Sequence, residues 1–170
     1  MKLETIAIHG GYEPEPTTRA VAVPIYQTAS YSFESTQHGA DLFDLKVEGN
    51  IYTRIMNPTT SVLEQRVTAL EGGIGALALA SGMAAITYSI LTLAEQGDNF
   101  VTTKSLYGGT YNLFAHTLPN YGIEARFCDS DDIKEMESKI DERTKAIFCE
   151  YIGNPAGNVT DLGAIAKMAH

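Results

Sequence analysis

The chain has 170 residues, of which 44% are hydrophobic and 19% charged, with six prolines and no tryptophan. Apolar residues are plentiful, glycine has no three-residue period and polar stretches are short, so collagen, coiled coil and disorder are excluded and one globular domain, or a piece of a larger one, remains. Twelve Lys and Arg stand against 21 Asp and Glu, a formal charge of −9, which leaves no cationic excess for a phosphate backbone; neither nucleic acid nor an anionic membrane is an expected partner.

The first residues, Met1-Lys2-Leu3-Glu4-Thr5, carry no apolar signal core, and no apolar span of membrane-crossing length follows. A cytoplasmic protein is the expectation. Residues 1–60 read as an irregular arm, with prolines at 14, 16, 24 and 58, aromatics at 12, 26, 31, 33 and 43, and little sustained period. Such an arm packs on its own domain or on a neighbouring subunit.

At Ser61-Val62-Leu63-Glu64 the pattern changes to a capping box, followed by Leu63, Val67 and Leu70 at helical spacing until Gly72-Gly73. Gly75 to Ala80 is short, apolar and bounded by turn residues, which predicts a buried strand although alanine is a weak strand former. Met83 to about Glu95 predicts a helix, with Ala85, Ile86, Ile90 and Leu93 apolar and Gly97-Asp98 as the stop. The alternation then repeats: strand 99–103, helix 109–118, strand 123–128, helix 131–140, strand 144–150, helix 161–170. Strands alternating with helices are the mark of right-handed βαβ crossovers, so the expected class is α/β, with a largely parallel sheet covered on both faces. The last helix has no stop signal before His170, and on that ground 170 residues is expected not to be a natural length.

Two features have plain explanations. Asp129, Asp131, Asp132, Glu135, Glu137, Asp141 and Glu142 crowd a helix-like stretch with Lys134 and Lys139, as on a solvated helix face. Cys128 and Cys149 sit inside apolar strand-like runs and read as small core residues, and His9, His38, His116 and His170 are scattered, so no metal site is expected.

Ligands of open α/β sheets bind beyond the carboxyl ends of the strands, so the strand-to-helix junctions are the candidate chemistry. At Ser81-Gly82-Met83 a strand turns directly into a helix whose first amides lack acceptors, and Gly82 lets an anion approach; a plain capped turn is the competing reading. Neither phosphate-loop nor dinucleotide glycine pattern is present. Tyr107, beside Gly108 and Gly109, offers a phenol able to stack on a planar ring and move protons, or is a packed surface aromatic. Glu150-Tyr151-Ile152-Gly153-Asn154-Pro155 ends a strand in a carboxylate and an Asn that its proline holds extended, or is an ordinary turn. In the arm, Tyr52 and Arg54 are two apart, so an extended segment points both the same way as a phenol and a guanidinium fork for a phosphate; pairing of Arg54 with an acid is the alternative.

The segments YTRIMNPT (52–59), ASGMAAI (80–86), LYGGTYNLF (106–114) and EYIGNPAGNVTDL (150–162) resemble, in this order and spacing, the pyridoxal-phosphate-dependent enzymes of Cys/Met metabolism. Within that family residues 4–33 and 42–59 look most like the branch that replaces the acetoxy group of O-acetyl-L-homoserine with sulfide, giving homocysteine. The resemblance implies a three-layer, aspartate-aminotransferase-like fold (fold type I), with 1–60 as an arm reaching a neighbouring subunit and 61–170 as the first part of an incomplete large domain. It implies pyridoxal 5'-phosphate as cofactor, with Gly82 and Met83 giving backbone amides to its phosphate, Tyr107 stacking on its ring and transferring protons, and Asn154 bonding the ring hydroxyl. Tyr52 and Arg54 would reach the phosphate of a neighbouring subunit in a homo-oligomer, expected to be a tetramer. Glu150 receives no role.

Two positions depart from the pattern. The acetoxy-replacing branch often reads SGQ where Ser81-Gly82-Met83 stands, and methionine γ-lyases carry cysteine where Gly109 stands. Gly109 argues against methionine γ-lyase activity, while Ser81-Gly82-Met83 leaves cystathionine γ-synthase or γ-lyase of the same family as the alternative. The lysines, at 2, 46, 104, 134, 139, 145 and 167, lie in no Ser/Thr-rich turn of the kind that forms the family's Schiff base. That lysine and the aspartate facing the ring nitrogen are expected outside this chain. The chain alone is then expected to be inactive, or is a non-catalytic phosphate-binding module.

Overall fold

In the computed structural model, which describes residues 1–129 and 132–170, the chain forms two units, Met1–Ala78 and Leu79–His170. The first contains α1 (Leu3–His9), α2 (Thr36–Phe43) and α3 (Pro58–Glu71). The stretch expected to be irregular therefore holds two short helices. For α2 the local cause is Ser35, whose side chain accepts from the N–H of His38 and caps the first turn. Helix α1 lies against α3, where Arg66 Nε donates to the carbonyl of Gly10 at 2.8 Å. The next residue, Gly11, has φ +71° and sits so close that a β-carbon would stand 2.6 Å from the backbone nitrogen of Arg66, so only glycine fits.

Helix α3 starts three residues before the expected capping box. Asn57 is its cap, accepting from Thr59 N–H at 2.9 Å, and Pro58 occupies the first turn, where its missing N–H costs nothing. Ser61 lies inside the helix and accepts from Gln65, while Glu64 reaches forward to the N–H of Ala78 at 2.8 Å. The stop at Gly72 is as expected, a left-handed C-cap with φ +65°. The apolar stripe is present, but Leu63, Val67 and Leu70 are exposed.

No strand forms at 75–80. The segment has no regular structure and is exposed up to Leu77, and Ile74 is fully solvated. A strand exists only when a neighbour completes its ladder, none of the three strands pairs with this segment, and alanine and glycine supply no intrinsic preference.

The second unit is built on β1 (Asn99–Thr103), β2 (Glu124–Cys128) and β3 (Thr144–Phe148), all parallel in the order β2-β1-β3. Central β1 is buried along its whole length, and its alternation divides the core. Phe100 points to one face, with Ile90 of α4 (Gly82–Leu93), Leu106, Phe114, Leu118 and Ile123; Phe100 and Phe148 both meet Phe114 edge-on. Val101 points to the other, with Cys128, Met136 of α6 (Ile133–Ser138) and Ile165 of α7 (Leu162–Ala169). The α/β reading, the parallel pairing, the two covered faces and the place of Cys128 in the core agree with expectation.

The helix expected over 109–118 is interrupted. Helix α5 (Gly108–Asn112) widens to a π turn at Leu113–Thr117 and tightens to 3-10 at Leu118–Tyr121. Pro119 cannot donate back along an α-helix and its ring crowds the preceding turn, so the helix unwinds before it. Expected helix start Asp131 lies outside the described residues; α6 is capped instead by Asp132, which accepts from Glu135 N–H. Glu135 and Lys139 pair at 2.5 Å across one helical turn.

Candidate functional site

Strand order reverses between β1 and β3, because the chain leaves β1 for β2 on one side and returns to β3 on the other. In a doubly wound sheet the carboxyl ends of such a strand pair open a crevice. Tyr107 follows β1 and Glu150 with Asn154 follow β3, so two sequence-predicted junctions meet there.

The third joins through α4. Ser81 caps this helix, its side chain accepting from Ala84 N–H at 3.1 Å. That cap leaves the N–H groups of Gly82 and Met83, the first two of the helix, without intrahelical acceptors at the positive end of the dipole. Gly82 is exposed, and a β-carbon there would meet no atom within 4 Å. The Met83 side chain runs back to α5: Thr110 Oγ1 lies 3.8 Å from its sulfur, and a β-carbon at Gly109 would stand 3.2 Å from the same atom and 2.6 Å from Cε1 of Tyr107. Met83, Gly109 and Tyr107 are thus in one contact group.

Glu150, which sequence reasoning left without a role, ties the remaining parts. One carboxylate oxygen accepts the backbone N–H of Tyr107 at 2.8 Å, and the other accepts that of Asn154 at 3.2 Å. Its own carbonyl is held by Thr160 Oγ1 at 2.8 Å, a side chain that is itself buried. The loop it heads closes through an Ile152–Val159 antiparallel bridge and a Gly153 N–H bond to the carbonyl of Asn158. Gly153 presses so closely on the β1 loop that a β-carbon would lie 2.9 Å from that of Ser105. The Asn154-Pro155 peptide is cis. Tyr107 and Asn154 are exposed.

Lys104, at the end of β1, pairs with Asp129 at 3.1 Å, and that carboxylate pushes its pKa up. It is a charged, exposed strand-end residue, as expected. Among the described residues no group of His, Cys, Asp and Glu is arranged to hold a metal ion.

Tyr52 and Arg54 belong to the first unit. Tyr52 pairs with Ser30 in an antiparallel bridge, and its carbonyl then accepts from both Ile55 and Met56 N–H, so residues 53–55 form a turn. The two-residue alternation expected to aim Tyr52 and Arg54 alike does not apply, because it requires continued extension. Arg54 is exposed, and it has no ion pair among the described residues. Beneath this turn lies Asn57, buried, with Nδ2 donating to Tyr26 O, Tyr31 Oη and Thr53 Oγ1. Its place before a proline at the head of an apolar-periodic run was the available signal.

The family model for Cys/Met metabolism PLP-dependent enzymes matches residues 4–170. The chain belongs to this family. Among its relatives, O-acetyl-L-homoserine sulfhydrylase 1 of Thermus thermophilus is 55% identical over 170 residues, covering 99% of this chain and 40% of that protein. O-acetyl-L-homoserine sulfhydrylase of Leptospira meyeri is 51% identical over 168 residues, 99% of this chain and 38% of that one. A crystal structure assigned as an O-acetylhomoserine (thiol)-lyase, from Campylobacter jejuni and holding N'-pyridoxyl-lysine-5'-monophosphate, superposes with a TM-score of 0.93 at 46% identity, covering 99% of this chain and 41% of that chain. The α/β unit is therefore part of the fold of these PLP enzymes, and the chain spans about two fifths of the length of the relatives it matches. The first-turn amides of Gly82 and Met83, with exposed Tyr107 and Asn154 beyond the strand ends, fit a phosphorylated planar cofactor.

Proposed function

We propose that this chain is the cofactor-binding part of a PLP-dependent enzyme that converts O-acetyl-L-homoserine and sulfide to L-homocysteine and acetate. The observation that carries the reading is the linked group Met83, Gly109, Tyr107, Glu150 and Asn154 at the strand switch point, in a chain whose Leptospira meyeri and Thermus thermophilus relatives, 51% and 55% identical, are named O-acetyl-L-homoserine sulfhydrylases. A Cγ–O bond is exchanged for a Cγ–S bond, so acetate leaves with the electron pair and sulfide supplies a new one.

Bound pyridoxal 5'-phosphate supplies the electron sink that such an exchange requires. The chain's own residues bind and orient. The N–H groups of Gly82 and Met83 receive the phosphate at the helix terminus. The Asn154 side-chain amide bonds the ring hydroxyl, fixing the ring's rotation. Tyr107 covers one ring face and carries protons on and off its Oη, acting as general acid and base. Tyr52 and Arg54 serve the phosphate of a neighbouring subunit, making the active form a homo-oligomer, read as a tetramer in the cytoplasm. The Schiff-base lysine is supplied from outside these 170 residues.

The natural gene product, reconstituted with the cofactor, should release homocysteine from O-acetyl-L-homoserine and sulfide. Turnover with cysteine and none with sulfide would assign cystathionine γ-synthase activity instead. Absence of cofactor absorbance after reconstitution would sink the reading.

A further inference from the structure

We propose that Glu150 is the positioning residue of this site, a single carboxylate that sets the spacing between the ring-stacking phenol and the ring-orienting amide. The inference rests on the function proposed above and deepens it. Tyr107 and Asn154 follow different strands, stand 47 positions apart in the sequence, and are both exposed. Loops of this kind do not hold a fixed separation by themselves. Among the described residues the one side chain bonded to both is Glu150, with Oε1 on Tyr107 N–H at 2.8 Å and Oε2 on Asn154 N–H at 3.2 Å.

Three details make the carboxylate suited to this work. Both of its bonds are charge-assisted, which makes them stronger than neutral ones. Both are to backbone, so each fixes the start of a loop rather than one rotamer. The base of Glu150 is anchored, because buried Thr160 donates to its carbonyl and β3 ends two residues before it. An anchored stem with a forked end ties the two loops at Tyr107 and Asn154, beyond the point where Gly153 packs on Ser105. Catalytic groups displaced by about 1 Å lose rate steeply, so this coupling controls turnover through Tyr107 and Asn154 without touching the substrate.

The chemistry distinguishes the variants. Glu150→Ala removes both acceptors. Glu150→Gln keeps one acceptor oxygen and replaces the other with a donor, so it can hold only one amide. Glu150→Asp keeps the charge on a stem one carbon shorter and cannot span both.

The test is site-resolved hydrogen exchange on the cofactor-free natural gene product, followed by steady-state kinetics on the loaded one. In Glu150→Ala, the amides of both Tyr107 and Asn154 should exchange about tenfold faster or more, while those of β1 and β3 keep their protection. In Glu150→Gln only one of the two should be released, kcat should fall about tenfold, and KM should change less than about threefold. Unchanged exchange at both amides in Glu150→Ala would overturn the proposal, as would equal loss of protection in β1 and β3, which marks a merely structural residue. So would release of an amide in Glu150→Gln with kcat unaltered. Exchange is read without cofactor, so a wild-type protein that fails to bind pyridoxal phosphate defeats the proposed function while the coupling of the two amides is still measured.

Discussion

The ring of Tyr107 lies so close to Gly109 that a β-carbon at 109 would stand 2.6 Å from Cε1. The backbone at 109 has no positive φ, so glycine is needed there for space rather than for conformation. Gly109→Ala should therefore cost little stability, within about 1 kcal/mol, but should push the phenol off its present position. The reconstituted enzyme is expected to lose about tenfold in kcat, with the ring displaced in a structure of the variant. Full activity with an unmoved ring would show that the contact does not set the phenol.

Tyr107→Phe separates stacking from proton transfer. The phenylalanine ring keeps the stacking face and loses Oη, so cofactor absorbance should survive while turnover drops by about a hundredfold. The measurement is a cofactor titration beside a homocysteine assay. Equal turnover in the variant would remove Tyr107 from proton transfer.

Asn57 is the most heavily bonded buried side chain of the first unit. It caps α3 through Oδ1 and uses Nδ2 to gather Tyr26, Tyr31 and Thr53 beneath the turn that carries Tyr52 and Arg54. Asn57→Ala loses a helix cap and leaves the carbonyl of Tyr26 short of a donor, a cost of about 2–4 kcal/mol. Denaturant unfolding should show that loss, and hydrogen exchange should place it at residues 52–60. If Arg54 binds the phosphate, cofactor affinity should weaken in the same variant.

The second unit was legible from sequence because its strands are short apolar runs and its helices have caps in plain view, as at Ser81 and Asp161. What failed depended on partners. Residues 75–80 have the composition of a buried segment, yet a strand is a property of a ladder and not of one run. The box at Ser61 met the pattern for a helix start, but Asn57-Pro58 upstream met it too, and proline at the first turn prevailed. Tyr52 and Arg54 were placed on one side by a periodicity that holds only while the chain stays extended, and the double acceptance at Tyr52 ends that extension. Glu150 stayed silent because a carboxylate after a strand has no signature until the loops it joins are seen together.

At the opposite end of the sheet Asp141 accepts from Asn99 Nδ2 at 2.8 Å and from Arg126 Nη1 at 2.7 Å. The Asn99 bond first, and then that of Arg126, hold its carboxyl well below the usual aspartate value of 3.8. A carboxyl depressed in the folded state adds stability above its unfolded pKa, and this stability is lost as pH falls through the carboxylate range. Stability should thus decline below about pH 4, and Asp141→Asn should be less stable near neutrality with a shallower acid decline. Melting temperatures measured across that range check both parts. A parallel decline in wild type and variant would show that Asp141 contributes nothing to acid sensitivity.

Cys128 has no solvent exposure, lies against Val101, Met136 and Ile165, and donates its thiol to the carbonyl of Thr102 at 3.3 Å. Burial, more than the nearby Glu135, pushes its pKa up to about 11. The thiolate is the reactive form, so near neutral pH both access and ionisation oppose modification. Alkylation followed by peptide mass measurement should find Cys128 unlabelled in the native protein and labelled once denaturant opens the β1–β2 pair. The half-buried Cys149 should label sooner, because access to it does not require the sheet to open. Rapid native labelling of Cys128 would mean that the face between the sheet and α6 opens far more often than its packing implies.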